Sequence, residues 1–148
     1  MKPEYVMQTV DDLMSKRWQW GVSDCCISAS DVFNKLHGID PMSILRGSYD
    51  NARKAYRLTQ QWGGLFEMSK KLAELSNLQI SSGDVGDIGI SYKGVAMGPE
   101  GRALLICIQP GAWAGKTENG YAIIPNAEIC WRPKTAFDHN SNRINCVG

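Results

Sequence analysis

The 148-residue sequence predicts an α+β fold in which N-terminal helices pack on a small antiparallel sheet. Two textures lead there. Up to about Leu75 the apolar residues recur at spacings of three and four, and from Gly83 onward they come in short runs broken by glycine. Length supplies the third observation, because a chain of this size fits one domain with one core.

The first helix is expected over about Glu4 to Lys16, where Val6, Val10, Leu13 and Met14 form one stripe and Pro3 stands where a helix start tolerates it. After Trp18-Gln19-Trp20-Gly21, Ser23 or Asp24 can cap a second helix with Cys25, Ala29, Val32, Phe33 and Leu36 on its apolar face. Gly38 closes it. Pro41 and Gly47 punctuate a loop, Asp50 can cap a third helix through Ala52, Ala55 and Tyr56, and Gly63-Gly64 ends it. A fourth follows on Leu65, Met68, Leu72 and Leu75, before the polar stretch Ser76 to Gly83. Strands are expected at Val85 to Ile90, Ala103 to Gln109, Tyr121 to Ile124 and Glu128 to Arg132. The glycine-rich segments Gly94 to Gly101 and Gly111 to Gly120 read as turns. The domain therefore spans 1–133, and 134–148 form a polar tail.

Composition removes several classes of function. Hydrophobic residues make up 43% and charged residues 21%, which fits a folded globular chain better than a disordered one. The longest apolar run, Ala103 to Ile108, is far short of the roughly 20 residues of a membrane-spanning helix. The N-terminus lacks the apolar stretch of a signal peptide, so synthesis in the cytoplasm is expected. Sixteen Lys and Arg against 15 Asp and Glu leave no basic excess to attract a nucleic acid. Five cysteines without Cys-x-x-Cys spacing write neither a disulfide framework nor a zinc ribbon. Reduced thiols, no metal and no cofactor are expected.

One segment has chemical content. In Trp20-Gly21-Val22-Ser23-Asp24-Cys25-Cys26 a cysteine opens a helix, where unpaired backbone N–H groups and the helix dipole favour a thiolate. Equally, cysteine is among the most buried residue types, and Cys25 begins the apolar stripe. Cys25 and Cys26 are not expected to bond to each other, because adjacent helical residues project about 100° apart. Asp24 and Asp84 read as a helix cap and a turn residue before they read as an acid–base pair. The five tryptophans read as buried area before they read as a sugar cleft.

The order of these pieces resembles the NlpC-type papain-like cysteine peptidases. Trp20-Gly21 stands for their aromatic-x-Gly-Gly, Asp24-Cys25-Cys26 for the nucleophile turn, and Gly83-Asp84-Val85 for the Gly-Asp-Val that opens a strand. Gly38-Ile39-Asp40-Pro41, Arg46-Gly47-Ser48-Tyr49, Gly63-Gly64-Leu65 and Trp131-Arg132 follow in an order similar to a branch of that superfamily found among bacteriophage and prophage tail genes. The resemblance implies a papain-like fold with Cys25 in the nucleophile position. It also implies a His at the start of the next strand, where this chain has Ala103. The two histidines lie elsewhere: His37 ends the helix that Cys25 begins, about 18 Å away at 1.5 Å per residue, and His139 lies in the tail.

The resemblance therefore implies a virion structural protein of the tail or tail tip, on a hydrolase scaffold with its chemistry reduced or lost. Its partners would be other tail proteins in a symmetric assembly, with Trp113, Lys134 and His139 in the docking elements. Two alternatives stand beside it: an active hydrolase cutting the peptides of peptidoglycan with Cys25, and a tail assembly factor. In the first reading Cys25 is a poor nucleophile for want of a base.

Overall fold

A computed structural model describes residues 1–134. Four helices come first, α1 (Pro3–Met14), α2 (Cys25–His37), α3 (Ala52–Gln61) and α4 (Leu65–Leu75). Six strands follow, β1 (Leu78–Ile80), β2 (Ile88–Ile90), β3 (Leu104–Gln109), β4 (Ala112–Lys116), β5 (Tyr121–Ile124) and β6 (Ile129–Pro133). They form one antiparallel sheet in the order β1-β6-β2-β3-β4-β5. The α+β class expected from the sequence is the class observed. None of the helices is long and apolar enough to cross a membrane, among the described residues.

The helices form where the apolar stripes lie. Val6, Val10 and Met14 bury one face of α1, and Ala29, Val32 and Phe33 bury that of α2. Both helices pack on β3 and β4, while α4 packs against β1. In α4 the buried face is Leu65, Met68, Ser69, Leu72 and Ala73, and Leu75 points to solvent. The cap of α3 is Asn51, whose side chain accepts from the Lys54 N–H, in place of the expected Asp50.

The sheet departs from expectation in three places. Strand β2 opens at Ile88 and not at Val85, because residues 84–87 make a turn closed by the Asp87 N–H donating to the Asp84 carbonyl at 3.0 Å. Strand β1 lies within a stretch read as polar connection, held by three residues paired with β6. Strand β4 lies within a segment read as a glycine-rich turn, and it carries the largest correction. Trp113 is buried at 1% exposure on this interior strand and is not on a docking loop. Its indole fills space left by two glycines: a Cβ at Gly83 or Gly89 would sit 3.2 Å or 3.0 Å from the ring. Lys134, at the end of the described chain, is exposed, and its N–H donates to the Asn77 carbonyl. His139 lies outside the described residues.

The β4–β5 hairpin is tied to the segment after α1. Lys116 is buried, and its ammonium donates to the backbone carbonyls of Lys16, Thr117 and Gly120. Among the described residues this ammonium meets no carboxylate, and three carbonyl dipoles take the place of its hydration. The Trp18 N–H also donates to the Glu118 carbonyl at 2.6 Å.

Candidate functional site at the start of helix α2

Cys25 is the first residue of α2, and the residue before it builds the site. Asp24 has extended backbone and is buried, and its Oδ1 accepts from the N–H groups of Cys26 at 3.0 Å and Ile27 at 2.9 Å. Its Oδ2 accepts from the Gly21 N–H at 2.8 Å and the Tyr49 O–H at 2.7 Å. Four donors on one carboxyl make it a cap and a clasp, and they satisfy its oxygens in a buried place. Burial first, and then the neighbouring acidic groups, push the Tyr49 hydroxyl up, so it remains a donor.

Two of the motifs scattered along the sequence, Trp20-Gly21 and Arg46-Gly47-Ser48-Tyr49, meet at this clasp. Gly21 has φ of +80°, and a Cβ there would collide with the Tyr49 carbonyl oxygen, so glycine lets the two segments meet. Arg46 donates from Nε to Asp40 at 2.7 Å and from Nη2 to Asp31 at 2.7 Å. That ion-pair set closes the loop that delivers Tyr49 to Asp24. Tyr49 of Arg46-Gly47-Ser48-Tyr49 reaches the α2 N-terminus, while Gly38 caps the C-terminus of the same helix and Asp40 anchors the loop between them through Arg46.

The sulfur itself is sealed. Cys25 is 1% exposed, and its Sγ lies 3.9 Å from the Cys26 Sγ and 3.9 Å from the Arg102 carbonyl oxygen. Gly98 sits directly over it: a Cβ there would lie 2.6 Å from the Cys25 Sγ. A carbonyl oxygen accepts a hydrogen bond from a thiol but cannot serve as its base. Ala103 stands beside Arg102 as the sequence placed it, fully buried, its N–H donating to Ser91 Oγ at 3.0 Å and its carbonyl accepting from the Ser91 N–H. His37 is at the other end of α2, where its Nε2 lies 2.8 Å from the Gly86 carbonyl oxygen and its ring packs on Phe33 at 4.4 Å between centroids. Burial holds its imidazole below the usual histidine range. No imidazole among the described residues shares the site with Cys25.

Cys25, Cys26 and Cys107 are free thiols, whereas Cys130 is disulfide-bonded, which corrects the expectation of reduced thiols throughout. The hydrogen bond with Cys25, followed by burial, raises the Cys26 thiol well above the usual range. Asp24, Cys25 and Cys26 place a carboxylate oxygen and two sulfurs within 4.8 Å of one another. Because the carboxylate already serves four donors, only two thiols remain, short of the four ligands of a structural zinc site.

Sequence reasoning missed one buried acid. Asp87 accepts from Ser81 Oγ at 2.6 Å and from the Asp84 N–H at 2.8 Å, and burial pushes it up to about 6. Its neighbours Gly86 and Ile88 make it the centre of a second Gly-Asp-aliphatic run, three residues after the one first matched. It is this second run that opens a strand.

With the geometry established, comparison supplies the family. The chain belongs to the family described as a domain of unknown function (DUF6950), whose model matches residues 3–133. No curated protein and no solved structure matches the chain.

Proposed function

We propose that the chain is a structural component of a bacteriophage tail or tail tip, built on a papain-like scaffold whose hydrolase chemistry is reduced or lost. The observation that carries the loss is the environment of Cys25: the Gly98 backbone and the Arg102 carbonyl cover its sulfur, and Ala103 stands where the resemblance implies a histidine. The scaffold reading is supported by the cysteine at a helix start packed on an antiparallel sheet, and by the meeting of Gly21 and Tyr49, from two of the motifs, on Asp24 at that helix end. The tail reading rests on the order of those motifs in the sequence. Partners are then other tail proteins in a symmetric assembly, and no catalytic cofactor is required.

Two measurements on one preparation test this reading. Mass spectrometry of purified particles should find the chain at a fixed ratio to the other tail proteins, and the purified protein should leave peptidoglycan peptides uncut. Cleavage abolished by Cys25→Ser would establish the hydrolase instead. Tails that fail to form without the gene, in particles that never contain its product, would establish the assembly factor.

A further inference from the structure

The segment that covers Cys25 is built as a separate piece. Its two limbs bond to each other: the Gly94 N–H donates to the Glu100 carbonyl at 3.2 Å, and the N–H groups of Val95 and Ala96 donate to the Gly101 carbonyl at 2.8 and 2.7 Å. The tip turns on itself through the Gly101 N–H to the Gly98 carbonyl at 2.9 Å. Val95 and Met97 are half exposed on its outer side, and Gly98 and Pro99 are buried on its inner side. Beneath Pro99 lies a small cavity lined by Trp20, Cys25, Cys26, Tyr49 and Met68. The cover therefore does not fill the space below it completely.

A single side-chain hydrogen bond fastens this piece to a distant element. Among the described residues two hydrogen bonds leave residues 92–101: the Arg102 N–H donates to the Pro99 carbonyl at 3.1 Å where the chain runs on into the sheet, and the Leu65 N–H donates to Glu100 Oε2 at 2.8 Å. Helix α4 has Gly64 at its cap and no side chain of its own to satisfy its first N–H groups, so Glu100 caps it from 35 residues away. A carboxylate there meets both an unpaired donor and the positive end of the helix dipole. Glu100 does so with φ of +62°, a conformation in which a glutamate is uncommon. Strain held by one contact is released when that contact is lost.

We propose that residues 92–101 form a lid latched by Glu100 on the N-terminus of α4, and that the lid opens as a unit without unfolding the domain. Opening lifts Gly98 and Pro99 from the α2 N-terminus and makes the Cys25 and Cys26 thiols reachable from solvent. The closed lid makes the cysteine inert, and the open lid makes it conditional. This inference goes beyond the tail reading and does not depend on it.

The full chain carries its own control for this motion. Cys107 is fully buried on β3, so its alkylation reports opening of the core, whereas alkylation of Cys25 reports opening of the lid as well. The test is iodoacetamide labelling at neutral pH, read peptide by peptide by mass spectrometry, in the natural protein and in Glu100→Asn. Asparagine suits a positive φ and is one methylene too short to reach Leu65. The expected result is a rise of about tenfold in the ratio of Cys25 to Cys107 labelling, in line with the loss of a charge-assisted hydrogen bond. An unchanged ratio, whether both rates stay fixed or rise together, overturns the lid. If the variant does not fold, the natural protein decides in low urea. Cys25 labelling that ignores urea while Cys107 labelling climbs supports the lid, and equal dependence on urea overturns it.

Discussion

At the N-terminal end of α2, Asp24 gathers four donors and is itself buried, under Tyr49 and the Trp20–Gly21 turn. At the C-terminal end His37 is half exposed and meets the Gly86 carbonyl, next to the buried carboxyl of Asp87. One end holds a carboxyl whose two oxygens accept from four donors. The other holds two titratable groups that burial pushes toward their neutral forms, Asp87 upward and His37 downward. A hydrolase of the kind the sequence resembles needs a cysteine and an imidazole together, and among the described residues the imidazole, His37, lies at the opposite end of the helix that Cys25 begins. The difference teaches that the end with the catalytic-looking sequence is the rigid one, and the end without it is the one that responds to protons.

Breaking the N-terminal end should have the largest effect. Asp24→Ala removes the cap and leaves the Gly21 N–H and the Tyr49 hydroxyl without an acceptor in a buried place. We expect a loss of about 3 to 5 kcal/mol, measured by urea unfolding at pH 7. A loss near 1 kcal/mol would mean that Asp24 is only a helix cap and that the clasp is not cooperative.

The C-terminal end should show its character in pH, with a smaller effect. Asp87 is raised to about 6 in the folded protein from an ordinary 3.8. Between those values the folded protein binds more protons than the unfolded chain, so stability falls as pH rises through the window and the penalty is complete above it. At 1.36 kcal/mol per unit this amounts to about 2 to 3 kcal/mol. Asp87→Asn should remove it, and the two proteins should therefore diverge from pH 4 to pH 7. His37 has the opposite sign. Its folded value lies below 6.5, so the unfolded chain takes the proton first and stability falls as pH drops through that region. His37→Gln should flatten that acid limb alone.

The smallest effect is expected between the two ends. The Oγ atoms of Ser28 and Ser30 are buried and find no partner among the described residues. Ser30→Ala should be neutral or stabilising by up to about 1 kcal/mol, seen as an unchanged or raised urea midpoint. A clear loss would show that the hydroxyl is answered in solution by a bound water.

The helices were legible because capping and periodicity are local: Asp24, Cys25 and Gly38 mark α2 from the letters alone. Ala103 lies just ahead of β3, within one residue of the strand start expected from the sequence. What stayed hidden was decided by distant partners. Ala112–Lys116 has no β-branched residue, and it becomes a strand because β3 and β5 pair with it on both sides. Trp113 looked like a loop aromatic because the glycines that receive it lie 24 and 30 residues earlier. Two Gly-Asp-aliphatic runs stand in succession, Gly83-Asp84-Val85 and Gly86-Asp87-Ile88, and nothing local to the letters distinguishes the one that opens a strand. The roofing of Cys25 by Gly98 joins residues 73 apart, beyond the reach of any periodic pattern.

The sheet order has a consequence for how the molecule is made. Strand β6, the last of the described chain, lies between β1 and β2, two of the strands synthesised before it. Until residue 133 leaves the ribosome, β2 lacks one neighbour and β1 has none. The nascent chain can assemble α1, α2 and the β2–β5 meander early, but Ile80 and Ile88 must wait for Trp131, which pairs with both. Closure of the sheet is a late event built on contacts distant in sequence, the kind that sets a slow folding rate. An open slot beside β2 is the form of the chain that a chaperone would meet.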